Sequence, residues 1–220
     1  MRYRRPKTKI FINKPIVLVG MMGVGKTTIG RRLSRALGVK FTDLDQAIED
    51  AAGMTVADIF ESFGEEEFRA GEKRVMARLL TEKPQVIATG GGAFVQQETR
   101  DLIKDKAFSV WLDAPLPVLI ERTGRRNTRP LLRGKNRADI LSKLIERRRP
   151  FYSQATVQVT SDKAPHHNVV IRILEVLKEH FPHETPMKAD NKTESKDTTK
   201  DPRQKDLAHP DQRHNHNAQY

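Results

Sequence analysis

Residues Gly20-Met21-Met22-Gly23-Val24-Gly25-Lys26-Thr27 constrain this chain more than any other segment. They match G-x-x-x-x-G-K-S/T and lie between an apolar run, Ile16-Val17-Leu18-Val19, and a stretch with helical spacing. Glycines let a backbone curl so that successive N–H groups converge, and a helix starting near Lys26 adds the positive end of its dipole at the same point. The expected product is strand, anion-cradling loop and helix in succession. The rival account is a glycine-rich turn that contains Lys-Thr by chance, and the correct flanks on both sides weigh against it.

Further apolar or β-branched runs recur: Lys40-Phe41-Thr42, Val86 to Thr89, Phe108 to Leu112 and Thr156 to Thr160. Each is separated from the next by enough chain for a crossover helix, which predicts an α/β fold in three layers, a parallel sheet of about five strands covered on both faces. A short helix from Asp58 should stop at Gly64, and Glu65-Glu66-Glu67 should open another that runs to about Leu80, ahead of Pro84. Pro115 and Pro117 mark the start of a helix, and Arg137 to Gln154 reads as a long basic helix with a bend or break near Pro150.

A length of 220 residues suits one such domain with polar ends: a basic arm over 1–13, the domain over 14–181 and a tail over 182–220 too polar to offset the entropy of ordering it. The net charge of +12 fits either a nucleic-acid binder or an enzyme that handles polyanionic nucleotides. Neither a single-strand stacking platform nor a DNA-binding motif accompanies it, so no nucleic-acid partner is expected. The chain has no cysteine, which excludes disulfides and Cys-ligated metals. No run approaches the roughly 18 to 20 apolar residues of a membrane span, so a cytoplasmic location without membrane attachment is expected.

As a nucleotide site, the loop would place Lys26 on the β and γ phosphates and the Thr27 hydroxyl on Mg²⁺. Gly23, Val24, Gly25, Lys26, Thr27 and Thr28 form the candidate ATP-binding set. Asp43-Leu44-Asp45 follows the second strand at the sheet edge where ligands bind, so one carboxylate could face the metal and the other the attacking alcohol. Helix N-capping is the other role open to this pair. Gly90-Gly91-Gly92 follows the third strand, either as a flexible turn or as a bare surface against which a substrate ring can lie. Arg69 and Arg148, each alone, read as solvated charges; together over the sheet edge they could grip a carboxylate. Residues 124–137, rich in Arg, Gly and Asn, look like a mobile lid that would bring cations to the transferring group.

The ordered set of phosphate loop, Asp43-Leu44-Asp45, Phe68-Arg69, Gly90-Gly91-Gly92, Arg129-Pro130-Leu131-Leu132 and Arg148-Arg149-Pro150-Phe151-Tyr152 resembles the shikimate kinases, P-loop kinases related to the nucleoside monophosphate kinases. The resemblance extends from about Ile16 to Leu177. It implies a P-loop kinase fold with strand order 2-3-1-4-5 and transfer of the ATP γ-phosphate to the 3-hydroxyl of shikimate. Asp45 then binds and deprotonates that hydroxyl, Asp43 serves the magnesium side through water, and Arg69 and Arg148 hold the shikimate carboxylate. Gly90, Gly91 and Gly92 lie beside the ring, and Glu72 orients the pocket. Lid Arg129 reaches the ATP phosphates, and Arg122 lies against adenine. The second adenine-side position, around Asp162-Lys163-Ala164-Pro165, has no arginine of the usual kind, so backbone contacts are expected there. A monomer is expected.

Three rivals share parts of this pattern. A gluconate-type kinase would have the same phosphate loop but not the combination of Asp45, Arg69, Gly91 and Arg148. A regulatory ATP-binding module would explain the charge, and a noncatalytic relative would lack a competent residue at some motif position. None is lacking here.

Overall fold

A computed structural model describes residues 10–124, 137–162 and 165–181. Five strands form one parallel sheet: β1 (Ile16–Val19), β2 (Phe41–Asp43), β3 (Val86–Ala88), β4 (Phe108–Asp113) and β5 (Val157–Thr160), in the spatial order β2-β3-β1-β4-β5. The centre of the sheet is apolar because both its faces are covered. Ile16, Val17, Leu18 and Val19 are all 0% exposed, and the unbroken apolar run in the sequence is the mark of such a strand. Strand β5 lies at one edge and alternates instead, with Val159 buried between exposed Gln158 and Thr160.

Seven α-helices connect and flank the strands: α1 (Lys26–Leu37), α2 (Leu44–Ala52), α3 (Val56–Leu79), α4 (Gln97–Lys106), α5 (Leu116–Gly124), α6 (Arg137–Tyr152) and α7 (His166–His180), among the described residues. From β1 the chain crosses toward β2, whereas every later crossover runs the other way along the sheet. Right-handed crossovers in opposite directions place their helices on opposite faces. The return of α7 onto α1 completes the first layer.

Local signals set most boundaries. Helix α3 begins at a capping box, with Thr55 Oγ1 accepting from the Asp58 N–H at 3.2 Å while the Asp58 carboxylate accepts from the Thr55 N–H at 3.3 Å. The helix thus starts at Val56, ahead of the expected Asp58. At Gly64 the backbone turns to φ 79°, ψ 179°, so two helical segments meet at the expected break. Helix α6 passes through Pro150, which cannot donate to the Glu146 carbonyl, and ends two residues later at Tyr152.

Ile10 is buried and Ile12 packs partly against the core, ahead of the expected domain boundary at residue 14. The rest of the basic arm (1–9), residues 125–136 of the expected lid and the polar tail (182–220) lie outside the described residues.

Candidate active site

Parallel strands end on one edge, and the ladder sets which residues meet there. Leu18 and Asp43 both pair with Ala88, and Thr89 donates its N–H and its hydroxyl to the Leu18 carbonyl at 3.2 and 3.1 Å. The phosphate-loop motif, the Asp pair and the triple glycine therefore leave the sheet side by side.

In the loop, Gly20, Gly23 and Gly25 have φ of 131°, 82° and 103°, values that side chains resist. A β-carbon on Gly20 would sit 2.4 Å from the Leu112 carbonyl oxygen, so the tight curl admits no other residue. Helix α1 starts directly after Gly25, with no side-chain cap and no acidic residue in its first turn. Its positive end is left to whatever anion the loop receives. Lys26 Nζ, largely buried, donates to the carbonyls of Gly20 at 2.7 Å and Met21 at 3.0 Å, which keeps its charge at the mouth of the loop. Thr28 is exposed on the first turn of α1.

Asp43 occupies the backbone position of an N-cap for α2 but makes no cap hydrogen bond with its side chain. Its carboxylate instead accepts the Thr27 hydroxyl proton at 2.8 Å. The hydroxyl and carboxylate are the oxygen donors that Mg²⁺ takes beside phosphate oxygens and water, so this pair fits the ion. No group of three or more His, Asp or Glu suited to a metal occurs among the described residues.

Arg122 braces the same loop from α5. It donates to the Val24 carbonyl and the Ser161 hydroxyl, both at 3.1 Å, and to the Asp162 carbonyl at 2.8 Å, while Ser161 Oγ donates to Val24 at 3.0 Å. Arg129 lies outside the described residues. Ser161 and His166 were not legible as loop neighbours. The His166 ring lies where a β-carbon on Gly25 would be 2.9 Å from Nε2, and burial, with Arg122 and Arg32 nearby, holds its pKa below the ordinary value.

The triple glycine faces three charged side chains, one apiece. A β-carbon on Gly90 would lie 2.8 Å from Asp45 Oδ1, one on Gly91 3.1 Å from an Arg148 guanidinium nitrogen, and one on Gly92 2.5 Å from Arg69 Nη2. Side chains on α2, α6 and α3 thus converge on one short stretch of bare backbone. Arg148 donates to the Gly91 carbonyl at 3.2 Å, and the buried Tyr152 hydroxyl donates to the same oxygen. Tyr152, within the Arg148-Arg149-Pro150-Phe151-Tyr152 motif, thus helps fix the glycine segment.

Arg69 is itself held by acids on its own helix, with Glu72 Oε2 at 2.7 Å and Glu65 Oε1 at 3.1 Å. Glu72 is 1% exposed, and its Oε1 has no hydrogen-bond partner among the described residues. Burial pushes its carboxyl above the usual range, Arg69 opposes this, and nearby Asp45 and Glu65 reinforce it.

A family model described as shikimate kinase matches residues 22–178. The chain belongs to the shikimate kinase family. A shikimate kinase from Caulobacter vibrioides is 51% identical over 166 residues, covering 76% of this chain and 83% of that protein. A solved shikimate kinase from Acinetobacter baumannii in complex with shikimate superposes with a TM-score of 0.73 at 36% identity, over 77% of this chain and 96% of the other. A gluconokinase from Sinorhizobium meliloti has a TM-score of 0.51 at 22% identity, over 77% and 94%, which shows a shared fold alone. In this shikimate kinase family member, no helix among the described residues is long and apolar enough to cross a membrane.

Proposed function

We propose that this shikimate kinase family member transfers the γ-phosphate of ATP to the 3-hydroxyl of shikimate, giving shikimate 3-phosphate and ADP for aromatic amino-acid biosynthesis. One observation carries the reading: Gly90, Gly91 and Gly92 face Asp45, Arg148 and Arg69 in turn, next to the phosphate loop. A notch with two guanidinium groups and one carboxylate is complementary to a small molecule that bears both a carboxylate and a hydroxyl.

In this reading Arg69 and Arg148 hold the substrate carboxylate, and the bare glycine backbone leaves room for its ring. Asp45 accepts the proton of the attacking hydroxyl as the new O–P bond forms and the bond to the departing ADP oxygen breaks. Lys26 and the N–H groups of Gly23, Val24, Gly25, Lys26, Thr27 and Thr28 offset the charge on the transferring group. Thr27 and Asp43 would hold Mg²⁺, which when bound neutralises phosphate oxygens. Arg129 is assigned to the same phosphates and Arg122 to the adenine side. A cytoplasmic monomer belongs to the same proposal.

Coupled measurement of ADP release over a panel of shikimate, gluconate and nucleoside monophosphates tests it. Saturable turnover on shikimate is expected. Saturation by gluconate with no turnover on shikimate would overturn the substrate assignment.

A further inference from the structure

Helices α2 and α3 flank an open cleft of about 890 Å³ whose lining includes none of the charged side chains that face the triple glycine. Its walls are apolar: Ile48 from α2, and Ile59, Phe63, Phe68 and Val75 from α3. These α3 residues lie on both sides of the break at Gly64, so the cavity spans the joint between the two helical segments. Phe63 stands 59% exposed at this joint. The charged lining residues are Arg74, Arg78 and Glu67, two cations to one carboxylate. Arg74 and Arg78 lie one turn apart on α3; Arg74 meets Glu67 at 3.2 Å, an exposed contact, while Arg78, exposed, has Glu82 nearby but no ion pair within 4 Å among the described residues.

Volume, apolar walls and a guanidinium rim together describe a site for a molecule of mixed character. We propose that the α2–α3 cleft binds a small amphipathic anion, an aromatic or aliphatic body with a carboxylate or sulfonate head, and that its occupancy alters the grip of Arg69. The body would lie against Phe63, Phe68 and Val75, removing exposed apolar surface from water. The head would meet Arg78, with Arg74 beside it, in a charge-assisted contact.

Phe68 supplies the link. Its ring forms a wall of the cleft, packs against Phe60 with centroids 4.4 Å apart, and has the Arg69 guanidinium 5.1 Å from its centroid. A shift of this ring in response to an occupant moves the support beneath Arg69. The coupling rests on the assignment of Arg69 to the substrate carboxylate, whereas binding in the cleft does not.

The probe is 8-anilinonaphthalene-1-sulfonate, which has an aromatic body and one anionic head, titrated by fluorescence against the full chain without substrates. Ala51, a cleft residue exposed on α2, can accept bulk without entering the core. Ala51→Trp, which fills the mouth, and Arg78→Glu, which reverses the rim charge, should each weaken saturable binding at least about tenfold, the scale of one lost charge-assisted or packing contact. Saturating probe should change the KM for shikimate at least about threefold while the KM for ATP holds, since the affected contact is on the substrate side. Binding unaffected by both substitutions, or displaced by ATP, would place the probe elsewhere and overturn the site. Concentration-dependent dimerisation abolished by Ala51→Trp would assign the cleft to a second copy of the chain and also overturn it. Saturable cleft binding that leaves the shikimate KM unchanged would overturn the coupling.

Discussion

Gly92 backs directly onto Arg69: a β-carbon on the glycine would lie 2.5 Å from Nη2 and 2.9 Å from both Cζ and Nη1 of the arginine. Every colliding atom belongs to the far end of a flexible side chain, so an added methyl should displace the guanidinium and leave the backbone in place. Gly92→Ala should therefore fold, and it should raise the KM for shikimate about tenfold, equivalent to about 1.4 kcal/mol, with the KM for ATP unchanged. Steady-state kinetics with a melting curve checks both parts. An unaltered shikimate KM would remove Arg69 from the substrate contact.

Arg148 offers the cleaner test of carboxylate recognition, because Arg69→Ala would also strip the buried Glu72 of its cation. Arg148→Ala should cost on the order of 2 to 5 kcal/mol of interaction with shikimate. Arg148→Lys should recover little of this, since an ammonium keeps the charge but loses the planar fork. Calorimetric titration with each ligand separates the sites, and weakened ATP binding with intact shikimate binding would assign the arginine to the wrong side.

Asp45→Asn keeps shape and hydrogen bonding but cannot take a proton. Shikimate should still bind measurably while turnover falls by about two to four orders of magnitude, the range of general-base catalysis. Lys26→Ala should lower turnover by a similar factor through lost charge stabilisation. Near-normal turnover in either variant would remove that residue from the chemistry.

Glu72 makes stability depend on pH. Burial raises its carboxyl above the ordinary value of 4.5, so between 4.5 and that raised value the folded chain retains a proton that the unfolded chain releases. Stability from this group is fully present below about 4.5 and is lost as pH rises through the raised folded value. Gln cannot titrate. The Tm of Glu72→Gln relative to wild type should thus shift in favour of the variant as pH rises from about 4.5 toward 7. Calorimetry across that range decides, and a constant difference would show that Glu72 does not titrate in this way.

The phosphate loop was legible in the sequence because its information is local: three glycines, a lysine and a threonine lie within eight residues, and the conformation they encode needs only their own backbone. The break at Gly64 was legible for the same reason. The capping box of Thr55 and Asp58 is equally local, and it starts α3 at Val56, ahead of the expected Asp58. Asp43 marks where local information ends. Sequence left it between N-cap and ligand, and the structure gives it the backbone position of the first but directs its carboxylate to Thr27, on another helix. Arg69 and Arg148 read singly as solvated charges. Only the order of the strands and the crossing of α3 and α6 over the sheet edge set them against Gly92 and Gly91. Propensity and capping act over a few neighbouring residues, whereas a site assembled from four separated segments depends on ladder pairing and helix packing. Those are properties of the folded chain, fixed by burial of the whole core and carried by no short stretch of it.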